Sequence, residues 1–194
     1  MQQKGKTYIY VANHSSYLDI PLMYLLTRGN VAFLGKSSLG KVPLFGYLYK
    51  RLHILIDRKK RDSKIEAVDQ CRERLEMGHS IIIFAEGTIP TTTPVLSDFK
   101  DGAFRLAIEK QIPIIPVTIP YNWLILPDDK SFTVTWHPCK ATVHEAISTI
   151  GMDESHTIEL RNKVRNIIES ELINYLGDDY RQRKSKKDSS FSPS

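Results

Sequence analysis

The stretch Asn13-His14-Ser15-Ser16-Tyr17-Leu18-Asp19 places a histidine and an aspartate five positions apart, directly after a short apolar run. Histidine is the side chain whose ordinary titration lies nearest neutral pH, so it can accept a proton there. A carboxylate on its other ring nitrogen fixes the tautomer and stabilises the imidazolium as it forms. On one regular helix, residues five apart point about 140° away from each other. The pair can meet only if His14 lies on a turn and Asp19 in the first turn of the helix that follows. Pro21 supports that arrangement, because proline is tolerated near a helix start. Spacing alone favours a plainer reading, in which Ser16 or Asp19 caps the helix and His14 is a satisfied loop residue.

Three further segments carry chemistry. Lys36 and Arg58 each follow a β-branched or apolar run, and two cations at strand ends can hold a phosphate; solvated surface charge is an equal reading of the same pattern. The glycines around Lys36 do not have P-loop spacing, and Gly35-Lys36-Ser37-Ser38 is not a nucleophile elbow. Phe84-Ala85-Glu86-Gly87-Thr88-Ile89-Pro90 follows the apolar run Ile81–Phe84, so a carboxylate and bare backbone N–H groups sit at a strand end. Taken alone, this is an ordinary strand-ending turn. Lys100 precedes a helical pattern that leads into Ile112-Pro113-Ile114-Ile115-Pro116-Val117, and a cation beside a helix start favours an anion. His137, Cys139 and His144 lack the spacing of a ligand set, so no metal is expected.

The elements that must position these residues alternate along the chain. Strand patterns cover 8–12, 31–34, 54–57, 81–84, 114–118, 133–136 and 142–144. Helical patterns cover 20–27, 44–51, 63–77, 102–110 and 155–175. This alternation predicts an α/β fold, with 81–84 as a central strand buried on both faces. In such sheets ligands lie beyond the strands' carboxyl ends, where His14 and Glu86 fall. Residues Tyr121–Leu126 form an aromatic-aliphatic cluster that suits a bilayer interface or the core equally.

The chain has 194 residues, 41% hydrophobic and 25% charged, which suits one globular domain with a real core. The net charge of +5 fits an anionic partner without choosing among phospholipid headgroups, nucleic acid and an acidic carrier. Part of that charge is the run Arg181–Lys187, in a stretch that reads as a basic, disordered tail over 178–194; the folded domain is expected over 1–177. Two distant cysteines argue against a disulfide framework and fit a reducing compartment. No apolar run reaches the length of a spanning helix, which predicts a peripheral position on the cytoplasmic face of a membrane if the substrate is a lipid.

Taken together and in this order, the segments resemble the 1-acyl-sn-glycerol-3-phosphate acyltransferase family. The resemblance covers most of residues 8 to 175 and reverses the preference for a simple helix cap. Asn13-His14 through Asp19 is similar to the family's NHxxxxD block, Lys36 through Arg58 to its second block, Phe84 through Thr88 to its EGT block, and Ile112 through Val117 to its fourth. The resemblance implies a mixed, mostly parallel sheet flanked by helices. It implies acyl transfer from acyl-CoA or acyl carrier protein to a lysophospholipid hydroxyl, giving phosphatidic acid, with no cofactor and no nucleic acid. It makes His14 the general base and Asp19 its orienting partner. Glu86 and Gly87 would contact the acceptor glycerol, with Thr88 in the same substrate-binding set, and Lys36, Arg58 and Lys100 would bind its phosphate. Two departures stand out. Ile89 occupies the place where the family's third block usually ends in arginine, and the chain starts about a dozen residues before His14, without the family's usual N-terminal membrane segment. Ile89 motivates a different lysolipid acceptor as an alternative. The basic charge motivates another, a non-catalytic membrane-binding module.

Overall fold

The strands line up in a sheet because their side chains are apolar on both faces. The computed structural model describes residues 5–27, 29–36, 53–56, 61–129 and 133–190. Strands β1 (Ile9–Ala12), β2 (Val31–Lys36), β3 (His53–Ile56), β4 (Ser80–Phe84), β5 (Ile114–Thr118) and β6 (Thr142–Val143) join in the order β3-β2-β4-β1-β5-β6. All neighbours run parallel except β5 and β6, so the sheet is mixed and mostly parallel, as expected. The central strands β1, β4 and β5 are buried at every residue.

Strand alternation divides the core into two layers. Ile9, Val11, Ile81, Ile83 and Ile114 face helices α2 (Arg61–Glu76), α3 (Gly102–Glu109) and α5 (Thr157–Leu176). Tyr10, Ala12, Ile82, Phe84 and Val117 face α1 (Asp19–Leu26), which sends Met23 into that layer. Ala67, Cys71 and Leu75 on α2, and Leu160, Val164, Ile168 and Leu172 on α5, recur at helical spacing and are buried. A short helix, α4 (Asn122–Ile125), follows β5.

Two expectations fail. The segment 133–136 is not a ladder strand. It runs along α4, where the Thr135 backbone N–H donates to the Ile125 carbonyl at 2.9 Å and the Thr135 hydroxyl to the Leu124 carbonyl. The Thr135 N–H is thus spent on a helix rather than on a sheet edge. The expected disordered tail forms helix α6 (Asp178–Ser190). Its anchor is Tyr180, which is fully buried and donates to Glu169 at 3.1 Å. Lys184 and Arg165 both reach the Glu169 carboxylate at 2.8 Å. One buried aromatic and a shared acidic partner outweigh a composition that reads as solvated. The expected helix at 44–51 lies outside the described residues.

Candidate active site

Register brings the chemistry to one edge. Ala12 pairs with Phe84 on one side and with Val117 on the other. His14, Glu86 and Ile119 each lie two residues beyond these partners, side by side at the carboxyl edge of the sheet. Asn13 fixes the exit of β1: its amide donates to the Ile119 carbonyl at 2.9 Å and accepts the Ile119 N–H at 2.8 Å.

The chain then turns, and α1 begins at Asp19. His14 Nδ1 lies 2.9 Å from Asp19 Oδ2. The same oxygen accepts the backbone N–H groups of Ser15 at 2.6 Å and Ser16 at 2.9 Å. Asn122 Nδ2 donates to Asp19 Oδ1 at 2.8 Å. A carboxylate ringed by N–H donors acts as acceptor throughout, so Nδ1 carries the imidazole proton and Nε2 presents its lone pair. Asp19 is fully buried, whereas the His14 side chain keeps 14% of its surface exposed. The ring lies flat on Phe84, with centroids 4.1 Å apart and planes 11° apart. Leu18 occupies the cap position of α1 with no side-chain hydrogen bond, while Ser16 Oγ accepts the Leu18 N–H at 3.2 Å in the turn that enters the helix and donates to the Leu126 carbonyl at 2.7 Å, so a capping contact and the His14–Asp19 pair coexist.

Glu86 lies inside the protein. Its Oε1 accepts the His14 backbone N–H at 2.9 Å, and its Oε2 accepts the Ser97 N–H at 2.7 Å and hydroxyl at 3.1 Å. The residue is 3% exposed. Burial pushes its carboxyl above the usual range, and the three donors from His14 and Ser97 pull it partly back. This carboxylate ties the histidine's backbone to the segment around Ser97.

The other sequence-derived residues lie around this edge. Gly87 has φ of +82°, the left-handed region that glycine adopts freely, and its N–H closes the turn onto the Phe84 carbonyl at 3.0 Å. Thr88 is exposed just beyond it. Lys100 is exposed, and its backbone N–H donates to the Ala85 carbonyl at 2.9 Å, next to Glu86. Lys36 is the last residue of β2, the strand beside β4, and so ends at the same edge. Arg58 lies outside the described residues. A pocket of about 260 Å³ adjoins Ser15 and is lined by Ile89, Pro90, Trp123, Asp128 and Asp129 among others.

Helix α6 braces this region from behind. The Leu96 N–H donates to the Tyr180 hydroxyl at 3.4 Å, and Lys187 Nζ donates to the Leu96 carbonyl at 2.7 Å. Leu96 precedes Ser97, the partner of Glu86. The Arg183 guanidinium lies over the Trp123 ring, 5.2 Å from its centroid.

Residues 1–120 match the protein family described as Acyltransferase. The chain belongs to that family. Among curated acyltransferases, a 1-acyl-sn-glycerol-3-phosphate acyltransferase of Chlamydomonas reinhardtii is 31% identical over 73% of this chain and 42% of its own length. One of Saccharomyces cerevisiae is 33% identical over 83% of this chain and 54% of its own. The chain thus spans about half the length of the curated acyltransferases it matches. In three dimensions it superposes on the crystal structure of the 1-acyl-sn-glycerophosphate acyltransferase of Thermotoga maritima with a TM-score of 0.75, at 27% identity, over 90% of this chain and 68% of that one. The mixed, mostly parallel sheet flanked by helices is accordingly a fold shared with that acyltransferase.

Sequence reasoning missed the partners that hold the pair. Asn122 sits in the cluster Tyr121–Leu126, read above as interface or core. A lone amide among apolar neighbours was the signal there. Ser97 carried no signal of its own.

Proposed function

We propose that this acyltransferase moves an acyl group from a thioester, acyl-CoA or acyl carrier protein, to the free hydroxyl of 1-acyl-glycerol-3-phosphate, yielding phosphatidic acid. His14 Nε2 takes the hydroxyl proton as the acceptor oxygen attacks the thioester carbonyl. The carbon–sulfur bond breaks, and the proton passes to the leaving thiolate. Asp19 keeps Nδ1 protonated and supports the imidazolium. No cofactor takes part. Lys36, Arg58 and Lys100 bind the acceptor phosphate. The observation that carries this reading is the buried Asp19 carboxylate on Nδ1 of a histidine whose Nε2 has no partner among the described residues. The names of the relatives support the acceptor.

The acceptor is drawn from a lipid surface on the cytoplasmic side. Among the described residues no helix is long and apolar enough to cross a membrane. Val134 and Trp136 are 70% and 92% exposed. They alternate with Thr135, bonded to α4, and His137, whose ring lies tilted against Tyr121 with centroids 4.6 Å apart. The chain leaving this segment enters the sheet at Thr142, which pairs with Thr118, the last residue of β5, at the edge that holds His14. An aromatic and an aliphatic side chain facing out beside a lipid-handling site suit a bilayer interface.

A second reading has one specific observation in its favour. The pocket beside Ser15 is lined by Ile89, Asp128 and Asp129, with no basic side chain among its described lining residues, which suits an amine-bearing lysolipid better than a phosphate monoester. A panel decides between them: purified protein, labelled acyl-CoA and acyl carrier protein, and lysophosphatidic acid against amine-bearing lysolipids. Preference for lysophosphatidic acid supports the first reading, preference for an amine headgroup the second, and transfer to neither overturns both.

A further inference from the structure

We propose that Asn122 is a positioning residue for the His14–Asp19 pair, holding the Asp19 carboxylate in the rotation that turns Oδ2 toward His14 Nδ1. The inference rests on the reading of His14 as the base.

The two oxygens of Asp19 are held differently. Oδ2 takes His14 Nδ1 and the N–H groups of Ser15 and Ser16. Oδ1 takes Asn122 Nδ2 at 2.8 Å and, among the described residues, only the Ser15 hydroxyl besides, at 3.5 Å. At 3.5 Å a hydroxyl contact is weak, so the amide is the anchor of that oxygen. Asn122 is itself fully buried, and so is Asp19. Removing the amide leaves a buried carboxylate oxygen without its strong donor and free to rotate toward another one.

The amide is oriented in turn. Cys139 Sγ donates to Asn122 Oδ1 at 3.3 Å. Burial and the Asp19 charge both push the Cys139 thiol upward, so it keeps its proton at neutral pH and acts as donor. That leaves the NH2 end of the amide for Asp19. The main chain fixes the position of Asn122: Ile119, three residues before it, exchanges two hydrogen bonds with Asn13, the neighbour of His14. Segments 103 residues apart therefore meet on one carboxylate.

The test uses the full chain carrying Asn122→Ala or Asn122→Asp, with 15N-labelled histidine. The His14 ring shifts report its tautomer without any substrate, and kcat and KM are measured separately. The wild-type ring is expected as the Nδ1–H tautomer. In Asn122→Ala the Nε2–H form becomes detectable and kcat falls by about 10- to 100-fold, as when the outer partners of a metal-bound histidine are removed, while KM stays within about 2-fold. Circular dichroism verifies the fold of both variants. Asn122→Asp keeps the volume and leaves no cavity. It sets a second carboxylate against Asp19, and protonating that carboxyl restores a donor. Its kcat deficit relative to wild type therefore shrinks as pH falls. Folded variants that keep the wild-type tautomer overturn the proposal, whether or not kcat falls. If the wild-type protein transfers no acyl group, the reading of function fails, and the tautomer measurement still decides the role of Asn122.

Discussion

The backbone N–H of His14 donates to Glu86 Oε1 at 2.9 Å, across 72 residues of chain. This bond locks the turn that carries the imidazole to the turn after β4. Glu86→Gln keeps the size but supplies one acceptor oxygen where the carboxylate supplies two. Either the His14 N–H or the Ser97 N–H then faces an amide NH2. Leaving one buried donor unpaired costs about 1–3 kcal/mol, which urea unfolding will register. The pH dependence has a definite sign. Burial raises the Glu86 carboxyl from its usual 4.5, so its ionisation costs more in the fold than in the unfolded chain. The stability it contributes is fully present below the usual value and is lost as pH rises through the raised one. That slope is expected in the wild-type protein and absent in Glu86→Gln.

Lys100→Ala tests the proposed phosphate site. Lys100 is exposed beside the Glu86 turn, with its backbone bound to Ala85. A hydrogen bond to a charged group contributes about 1.5–3 kcal/mol, and solvent exposure favours the lower end. KM for lysophosphatidic acid is expected to rise by about 10-fold with kcat little changed. Steady-state kinetics with a neutral-headgroup lysolipid as control separates this from a general loss, because that acceptor is expected to show no change.

How far the sequence carried these conclusions differs from element to element. The central strands were legible because β1, β4 and β5 are apolar on both faces, and Ile114–Thr118 has the bounds expected for it. Geometry said only where His14 and Asp19 had to lie in order to meet, on a turn and in the first turn of the helix; that they form a pair was what the family resemblance implied. What holds the pair was not legible. Asn122 and Ser97 come from positions far along the chain and reach the site only through the register of β5 and the packing of the segment before α3. The partners of Glu86 were not legible for a related reason. A strand-end carboxylate in the sequence does not reveal whether it faces outward or back toward the neighbouring turn.

Helix α6 was the largest misreading, and its energetics are testable. Tyr180 links Glu169 to the Leu96 N–H from a fully buried position. Tyr180→Phe keeps the ring and removes both contacts. It is expected to lower stability by about 1 kcal/mol, measured by thermal or urea unfolding. Because Leu96 adjoins Ser97, the partner of Glu86, a smaller fall in acyl transfer is expected alongside it.

The outward pair Val134 and Trp136 predicts lipid binding that salt does not abolish. Burying a large apolar side chain contributes about 1.5–3 kcal/mol. The double change Val134→Ser and Trp136→Ala is therefore expected to weaken partitioning onto phospholipid vesicles by about 10-fold or more in a sedimentation assay, with the fold unaltered. Unchanged partitioning would place the lipid contact elsewhere.

The account stands on His14 as the base that the buried Asp19 orients. Its most direct test is labelled acyl transfer to lysophosphatidic acid by His14→Ala, with circular dichroism on the same sample. The ring is mostly buried against Phe84, so folding must be verified at the assay temperature. Loss of general base catalysis removes about 10²- to 10⁴-fold in rate. The predicted result is a folded protein whose transfer rate falls by that amount and stays low at every pH. A folded His14→Ala protein that transfers acyl groups at the wild-type rate would contradict it.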